Sequence, residues 1–356
     1  MQKFTTRFFG VLIASTITLL SANAQTNTFT YSVGPNFNNW HAAGNWSLGH
    51  VPTASEDVDI PSTALAVTAR IFNGNQGVCR NLTISGNRDL AIEDLLTVNG
   101  SISHSGSGNF FIFRDGGRKG ALLHVGNGYV VGGSSGGAVF VFDGEGNNNA
   151  GYRDFGGIIA GTTLQNIING GFTVQGTNGV DCYYNYTPYP NVQRYEENHA
   201  PLVNGAYYER WISATSPSTQ LRPGQGFAFR SDAAGPFNIA YSVGTGARFN
   251  DNPIIPVPVS YSYNGTGQGW NLLSNPYPAS YEISMSLTPS TPVAYVFSTT
   301  GQFSGNYGSI NMSGVTSGFL STPYLAPGQG FFVQSNTNTM FQFERAALRG
   351  QCKHLL

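Results

Sequence analysis

A nine-residue phrase that occurs twice constrains the fold more than any other feature of this chain. Residues 221–229 have the sequence LRPGQGFAF, and residues 325–333, 104 positions later, have the sequence LAPGQGFFV. In both copies a proline presets φ for a turn and two glycines supply backbone freedom, after which apolar residues are typical of a strand. The spacing is too long for one coil of a solenoid and matches a small β-domain. The duplication therefore predicts two related β modules.

The sequence around each copy is also similar in kind. Residues 236–241 and 339–343 alternate polar and apolar side chains after a polar loop, and with the preceding strand each predicts a hairpin that ends a module. Upstream, residues 171–174 and 269–273 are predicted to be equivalent opening strands. The proline-stiffened stretch 252–258 indicates the boundary between two β-sandwich modules.

The first part of the chain has a different pattern. Short apolar pairs recur there with Gly, Asn, Asp or Ser between them: Leu82/Ile84, Leu90/Ile92, Leu96/Val98 and then Ile102. Their first members are 8, 6 and 6 residues apart. This spacing is too tight for ordinary hairpins and suits the short faces of a β-solenoid, with a plain antiparallel sandwich as the alternative.

Composition supports an all-β chain. Glycine accounts for 46 of 356 residues, close to twice the average usage of about 7%, and 24 Phe and 18 Tyr accompany it. Turns and half-buried strands require such residues. Only 10% of residues are charged and the net charge is −1, so there is no electrostatic footprint for nucleic acid or for anionic lipid.

The N-terminus has the features of an export signal. Lys3 and Arg7 form a basic region, residues 8–20 an apolar one, and residues 22–24 an A-x-A cleavage site, which predicts a mature chain that begins at Gln25. A membrane anchor is the alternative, but the apolar run is short and no later segment has the length needed to span a bilayer. We expect a secreted protein, extracellular or on the outer cell surface, with no transmembrane segment after signal cleavage.

These observations predict an all-β fold, with an N-terminal β-solenoid-like region followed by two repeated β-sandwich modules. The predicted segments are a signal peptide (1–24), a β-solenoid-like domain (25–160), β-sandwich module 1 (161–255), β-sandwich module 2 (256–346) and an atypical tail (347–356). Of the three cysteines, Cys79 and Cys182 are the candidates for a single bridge, and the sequence does not decide whether they pair.

Three stretches together resemble large secreted and surface proteins of bacteria that use type IX secretion. They are the W-x5-W…D-V-D-I opening at 40–60, the C-R-N-L-T-I…L-T-V-N-G-S-I rungs at 79–102, and the G-W-N-L-L-S-N-P-Y-P…L-A-P-G-Q-G-F-F-V module at 269–333. The resemblance implies an adhesin-like or matrix-like scaffold of solenoid and sandwich modules ahead of a C-terminal sorting domain. It supplies no catalytic motif.

The end of the chain departs from that pattern. A sorting domain is expected beyond the last module, yet residues 347–356 lack strand alternation and are rich in basic residues. Our hypothesis is a truncation or frame shift near Ala347, which leaves the mode of surface retention open.

Motifs for catalysis or metal binding are weak. The six histidines include no H-x-H or H-E-x-x-H pair, and His124 has the setting of an ordinary strand residue. Residues 133–137 match G-x-S-x-G but stand in a glycine run with no predicted helix after them. Asp57 and Asp59 share a strand face without a calcium-loop sequence. We therefore expect no catalytic residues, no metal site and no cofactor.

Aromatic residues are the one surplus, and they crowd the predicted first sandwich module. Such rings on an exposed sheet face stack on sugars or anchor a protein partner, whereas alternate rings inside a sandwich simply fill its core. The candidate ligand-binding residues are Tyr183, Tyr184, Tyr186, Tyr189, Tyr207, Tyr208 and Trp211.

The sequence thus favours a secreted or cell-surface, non-enzymatic, structural or adhesin-type protein whose β modules make multivalent contacts with an extracellular glycan or surface protein. Two alternatives remain. One is a carbohydrate-binding accessory module with a single aromatic platform, and the other is a β-solenoid enzyme that degrades polysaccharides and needs a cluster of acids along its groove.

Overall fold

The computed structural model describes residues 25–31, 38–62, 68–114, 118–132, 136–142, 150–176, 190–199, 210–214, 216–232, 239–262, 268–301 and 304–350. Of the described residues, 48% lie in strands and 6% in helices, which confirms the all-β prediction. The predicted signal peptide lies outside the described residues. Within the described part, no helix is long and apolar enough to cross a membrane.

The first half of the chain is a β-solenoid of about three turns over residues 58–142, as predicted. A short strand, β1 (Thr26–Thr28), precedes it. The strands of the solenoid are β2 (Asp57–Ile60), β3 (Ala69–Ile71), β4 (Gln76–Cys79), β5 (Leu82–Ile84), β6 (Leu90–Ile92), β7 (Leu95–Val98), β8 (Ile102–His104), β9 (Phe110–Arg114), β10 (Ala121–His124), β11 (Tyr129–Val131) and β12 (Gly137–Phe142).

Each coil contributes one short strand to each of three parallel sheets. The sheets have the orders β1-β2-β5-β8-β11, β3-β6-β9-β12 and β4-β7-β10. Equivalent inward side chains stack in register from coil to coil, as Val58, Leu82, Ile102 and Tyr129 do. The tightly spaced apolar pairs of the sequence are therefore successive faces of one coil, each with its apolar residues turned inward.

The W-x5-W motif packs at the start of the solenoid. Trp40 and Trp46 are buried, with ring centroids 4.7 Å apart. The Trp46 indole N–H donates to the Trp40 carbonyl (2.6 Å), and its ring meets Phe29 edge-on at 5.1 Å. These rings cover apolar surface that the first coil would otherwise expose.

Glycines at the solenoid corners explain much of the unusual composition. A Cβ at Gly106 would overlap the backbone of Gly86 one coil earlier, and a Cβ at Gly136 would overlap that of Gly108. A side chain at these positions would therefore force adjacent coils apart.

The second half of the chain contains two related sandwiches. The strands of the first are β13 (Gly151–Phe155), β14 (Val192–Tyr195), β15 (Trp211–Ser213), β16 (Phe227–Ser231) and β17 (Ile239–Thr245), with helix α1 (Leu164–Asn169). The strands of the second are β18 (Ile254–Val259), β19 (Trp270–Ser274), β20 (Ser280–Glu282), β21 (Val293–Gly301), β22 (Ser304–Asn311), β23 (Thr316–Ser317), β24 (Tyr324–Leu325), β25 (Gly330–Gln334), β26 (Thr339–Glu344) and β27 (Leu348–Arg349). Short 3-10 turns occur at Ala43–Asn45, Ile283–Met285 and Arg345–Ala347.

The two sandwiches share one plan of strand pairing. In the first, the sheet β13-β16-β14-β15 packs on the antiparallel pair β12–β17, and Phe155 meets Phe140 at 6.0 Å. In the second, the sheet β19-β25-β21-β22-β23 packs on the antiparallel pair β18–β26, and Phe331 meets Phe343 at 6.1 Å. The last strand of the solenoid is thus also a layer of the first sandwich, so one apolar core continues from Phe29 to Phe249.

Two details of the sequence interpretation are wrong. The strand after each PGQGF phrase pairs with earlier strands and not with the next one, because the chain crosses to the opposite layer: β17 pairs with β12, and β26 with β18. The equivalent of β19 is β13 and not residues 171–174, which form no strand. The domain boundaries at 160 and 255 stay predictions.

The first residues of the predicted tail belong to the fold, contrary to expectation. Ala347 and Leu348 are buried in the second sandwich core, and β27 pairs with β20. Arg349 also forms an ion pair with Glu282 (2.7 Å). Residues 351–356 lie outside the described residues, and the frame-shift hypothesis stays a hypothesis.

We predict that Gly106→Ala destabilises the solenoid by about 1–3 kcal/mol, because the new methyl group overlaps backbone of the preceding coil. Gly132→Ala is the matched control, since its methyl group would make only ordinary contacts, the nearest at 3.4 Å. Urea denaturation measures both free energies of unfolding. Equal losses for the two variants would contradict the corner-stacking argument.

We predict that burial of His104 makes the protein less stable in mild acid. His104 is fully buried between Ile84 and Val131 of neighbouring coils, and its Nε2 lies 2.7 Å from the Gly108 carbonyl oxygen. Burial lowers the pKa of His104 because the charged imidazolium loses its hydration there.

The unfolded chain, with a histidine pKa of about 6.5, therefore binds this proton more readily than the folded chain. We expect the free energy of unfolding to fall as the pH drops below about 6.5. His104→Leu should weaken this dependence, as measured by urea midpoints across mildly acidic to neutral pH. A variant with the same pH profile as the wild type would refute this assignment.

Candidate functional site

The candidate site is an aromatic cleft between the two sandwiches. Five rings from the described residues line it, and its volume is about 350 Å³. The lining residues are Tyr195, Trp270, Tyr295, Tyr307 and Phe332. This volume lies within the range of roughly 300–1,000 Å³ typical of small-ligand sites.

Strand alternation explains why the rings share one face. In the second sandwich, Leu273 and Val333 point into the core, while their neighbours Leu272 and Phe332 point to the other face. Register places Phe332 opposite Tyr295. Because side chains that face each other in a register lie on the same side of a sheet, Trp270 and Tyr307 extend this aromatic face onto the two flanking strands.

The first sandwich closes one side of the cleft. Tyr195 is 9% exposed and meets Phe332 edge-on at 5.7 Å. On the second sandwich, Trp270 lies 5.1 Å from Tyr295 and 6.2 Å from Phe332. Tyr307 lies 6.4 Å from Phe332 and is 48% exposed, so the cleft opens to solvent on its side.

One of the seven residues predicted from the sequence contributes to this site. Trp211, on β15, is half-buried and packs behind the cleft against Tyr195 (5.3 Å) and Phe332 (5.9 Å). The other six lie outside the described residues: Tyr183, Tyr184, Tyr186, Tyr189, Tyr207 and Tyr208.

The sequence interpretation missed the five lining residues because it looked for a local concentration of aromatics. The lining rings come from five strands that are spread over residues 192–334. A signal was present, since Tyr295 and Tyr307 each alternate with residues that turn to the opposite face. Which face would meet the other sandwich is a property of the tertiary packing.

The two PGQGF turns hold the sandwiches together by a reciprocal exchange. In each, proline and a glycine with positive φ (Gly224 +82°, Gly328 +75°) form a turn of the expected type. Gly224 then accepts a hydrogen bond from the Ser274 N–H, and Gly328 accepts one from the Gly156 N–H, both at 2.9 Å. Each turn thus extends the strand of the other repeat.

A buried ion pair clamps the cleft wall. Glu197, two residues after Tyr195, is 2% exposed, and its carboxylate accepts from the Gly269 N–H (2.7 Å) beside Trp270. The same carboxylate accepts from the Ser262 N–H (3.0 Å) and hydroxyl (2.7 Å), and from Arg210 at 2.9 Å. With its hydrogen-bonding capacity filled, Glu197 fixes the strand carrying Tyr195 against the strand carrying Trp270.

The acidic and histidine candidates have structural partners. Asp57 accepts two hydrogen bonds from Arg80 (2.9 and 2.8 Å), which lower the pKa of Asp57. Asp59 accepts from the Ser85 hydroxyl at 2.6 Å. His124 is buried, with Nε2 2.8 Å from the Gly100 carbonyl oxygen. Across the described part of the chain, no three His, Cys, Asp or Glu residues gather into a metal-binding group.

Neither the G-x-S-x-G match nor the cysteine has the setting of a nucleophile. Residues 133–135 lie outside the described residues, but strands β11 and β12 flank the motif, whereas a nucleophile elbow requires a helix after it. Cys79 is a free, buried thiol, and burial raises its pKa to about 12, so the reactive thiolate is disfavoured. Cys182 lies outside the described residues.

Comparison with known proteins yields a family without an assigned role. Residues 32–293, well over half of the chain, match a family model described as a domain of unknown function (DUF8693). No curated protein and no solved structure matches the chain.

We predict that Glu197→Ala destabilises the protein by about 3–5 kcal/mol, because it leaves Arg210 buried without its partner. Glu196→Ala is the matched control: its carboxylate pairs with Arg194 on a partly exposed surface, where a loss below about 1 kcal/mol is expected. Urea denaturation of the full chain measures both. Similar small losses would show that the clamp is not required.

Proposed function

We propose that this chain, which belongs to the DUF8693 family of domains of unknown function, is a secreted or cell-surface, non-enzymatic protein of adhesin type that binds an extracellular glycan in its aromatic cleft. The observation that carries the proposal is the convergence of five aromatic rings from two sandwiches onto one cleft. Trp270, Tyr295 and Tyr307 retain exposure there, while Tyr195 and Phe332 are nearly buried behind them.

The chemistry of the lining favours sugar over other ligands. Aromatic rings offer flat apolar faces against which the C–H groups of a sugar ring pack, and tyrosine hydroxyls at their edges form hydrogen bonds. None of the five described lining residues carries a charge at neutral pH. An anionic or cationic ligand would therefore lose hydration in the cleft without gaining a charged partner from these residues.

The placement of the rings favours binding over catalysis. They stand on strands of two sheets clamped by the turn exchange and by Glu197, so little side-chain freedom is lost when a ligand binds. Glycoside hydrolysis requires a pair of carboxyl groups across the scissile bond, and the five lining residues that the structure describes supply none. This chemistry supports a binding protein over the polysaccharide-degrading alternative.

The solenoid supports the adhesin part of the proposal. Its coils form a row of hydrogen-bonded parallel strands joined to the first sandwich by a shared core, which makes it suited to hold the cleft at a distance from an attachment point. Weak single contacts with a glycan surface would then add up over many copies. The export signal and the resemblance to type IX secreted proteins favour the same location.

We expect the full chain to bind at least one neutral oligosaccharide on a glycan array, with affinity then measured by titration calorimetry. Trp270→Ala should weaken that binding about tenfold or more, because it removes the largest partly exposed ring of the cleft. Phe111→Ala is the matched control, since Phe111 is a half-buried ring on the solenoid. Thermal unfolding confirms that each variant is folded.

Three outcomes would contradict the proposal. Binding that survives Trp270→Ala but is lost in Tyr183→Ala/Tyr184→Ala would place the site in the tyrosine-rich segment. Binding to a surface protein with no glycan bound would identify a different class of partner. Release of reducing sugars from the bound oligosaccharide would show an enzyme.

A further inference from the structure

The aromatic face of the second sandwich extends beyond the pair of rings formed by Trp270 and Tyr295. Trp270 stands on β19, Phe332 on β25, Tyr295 on β21 and Tyr307 on β22, which are four adjacent strands in this order. Neighbouring strands are about 4.8 Å apart, so the four strand axes span roughly 14 Å. The rings of Trp270 and Tyr307 lie on either side of Phe332 in this order, 6.2 and 6.4 Å from it. A row of this length exceeds what one sugar ring can cover.

The row has an inner and an outer part with different surroundings. The inner part is Trp270 with Tyr295, backed by Phe332 and closed on one side by Tyr195. The outer part is Tyr307, which rests on Phe297 with ring centroids 5.1 Å apart. Tyr307 is the most exposed ring of the described lining, at 48%.

Neutral polar groups border both parts. Gln334 is opposite Trp270 in the register, and its side-chain amide donates to the Gln268 carbonyl at 3.0 Å. Ser309 is opposite Tyr295, and its hydroxyl lies 2.7 Å from that of Ser317 on the next strand. Amides and hydroxyls form hydrogen bonds with sugar hydroxyls without selecting for charge.

From this arrangement we infer that the cleft has two sugar subsites and binds an internal segment of an uncharged polysaccharide that runs across the strands from Trp270 to Tyr307. The inference rests on the proposed glycan-binding function and names the ligand class for that site. Trp270 and Tyr295 hold one sugar unit at the inner subsite. Tyr307 stacks on a later unit of the same chain, where its ring faces solvent when no ligand is bound.

The two-subsite arrangement predicts that affinity depends on chain length. A disaccharide places one unit at the inner subsite while its second unit stops short of Tyr307, whereas a hexasaccharide of the same neutral series also reaches Tyr307. The extra ring contact should make the hexasaccharide bind about threefold to tenfold more tightly. A uronic-acid hexasaccharide should bind more weakly than the neutral one, because the described lining residues offer its carboxylates no counter-charge.

The test uses the full-length chain with the cello- and manno-oligosaccharide series, disaccharide to hexasaccharide, and oligogalacturonate as the charged probe. Tyr307→Ala should lower the hexasaccharide affinity much more than the disaccharide affinity and so remove most of the length dependence, whereas Phe111→Ala, on the solenoid, should leave both affinities unchanged. Tyr307→Phe, which keeps the ring, should retain the length dependence. Because Tyr307 is largely exposed, the alanine variant is expected to fold, and its thermal unfolding checks this.

The results separate this inference from the function on which it rests. If the wild type binds oligosaccharides with no dependence on length, or if Tyr307→Ala weakens disaccharide and hexasaccharide equally, the two-subsite arrangement is wrong while glycan binding stands. If oligogalacturonate binds as well as the neutral chains, the uncharged ligand class is wrong. If no oligosaccharide binds at all, the proposed function fails, and this inference fails with it.

Discussion

The C-terminal half of the molecule depends on the close approach of backbone to backbone where each PGQGF turn pairs with a strand of the other repeat. The Gly226 N–H donates to the Leu272 carbonyl at 3.1 Å, and the Gly156 N–H donates to the Gly328 carbonyl at 2.9 Å. A Cβ at Gly226 would lie 2.6 Å from the Leu273 oxygen, and one at Gly330 would lie 2.5 Å from Asp154. Glycine is therefore required for this exchange.

The exchange has a consequence for the placement of side chains. Because each turn continues a strand of its counterpart, the two aromatic faces meet at a fixed distance, and Tyr195 and Trp211 reach Phe332. The Glu197 carboxylate adds a second connection to the backbone at Gly269. These ring contacts and the Glu197 hydrogen bond hold the cleft residues in place. Such an arrangement is expected where a ligand binds to a preformed shape and the protein does not adapt to it.

Neutrality is the second constraint on function. The chain has few charges, and several of those on described residues are paired in structural positions, as in Asp57 with Arg80 and Glu197 with Arg210. The described residues in and around the cleft offer it rings, hydroxyls and amides. These groups suit a ligand that presents both apolar C–H faces and neutral hydroxyls, and they are the basis of the proposed contact with an extracellular polysaccharide.

The sequence by itself determined the class of fold, the solenoid and the repeat, because each depends on local information. Alternation of Leu82/Ile84 and its successors sets which side chains turn inward, and proline followed by glycine sets the turn at 222–225. The sequence did not determine which strands pair. The strand after each phrase joins the opposite layer, and β12 serves both the solenoid and the first sandwich.

Only the tertiary structure decided the candidate site. Trp270, Tyr295 and Tyr307 are typical strand residues in isolation, and Trp211 was identified only through its crowded neighbourhood in the sequence. Their meeting with Tyr195 arises from long-range pairing between repeats, in which Gln225 bridges to Leu273 and Phe155 bridges to Gln329. The alternation of side chains along a strand predicts the face from which a ring projects, but contacts between distant segments decide what packs against that face.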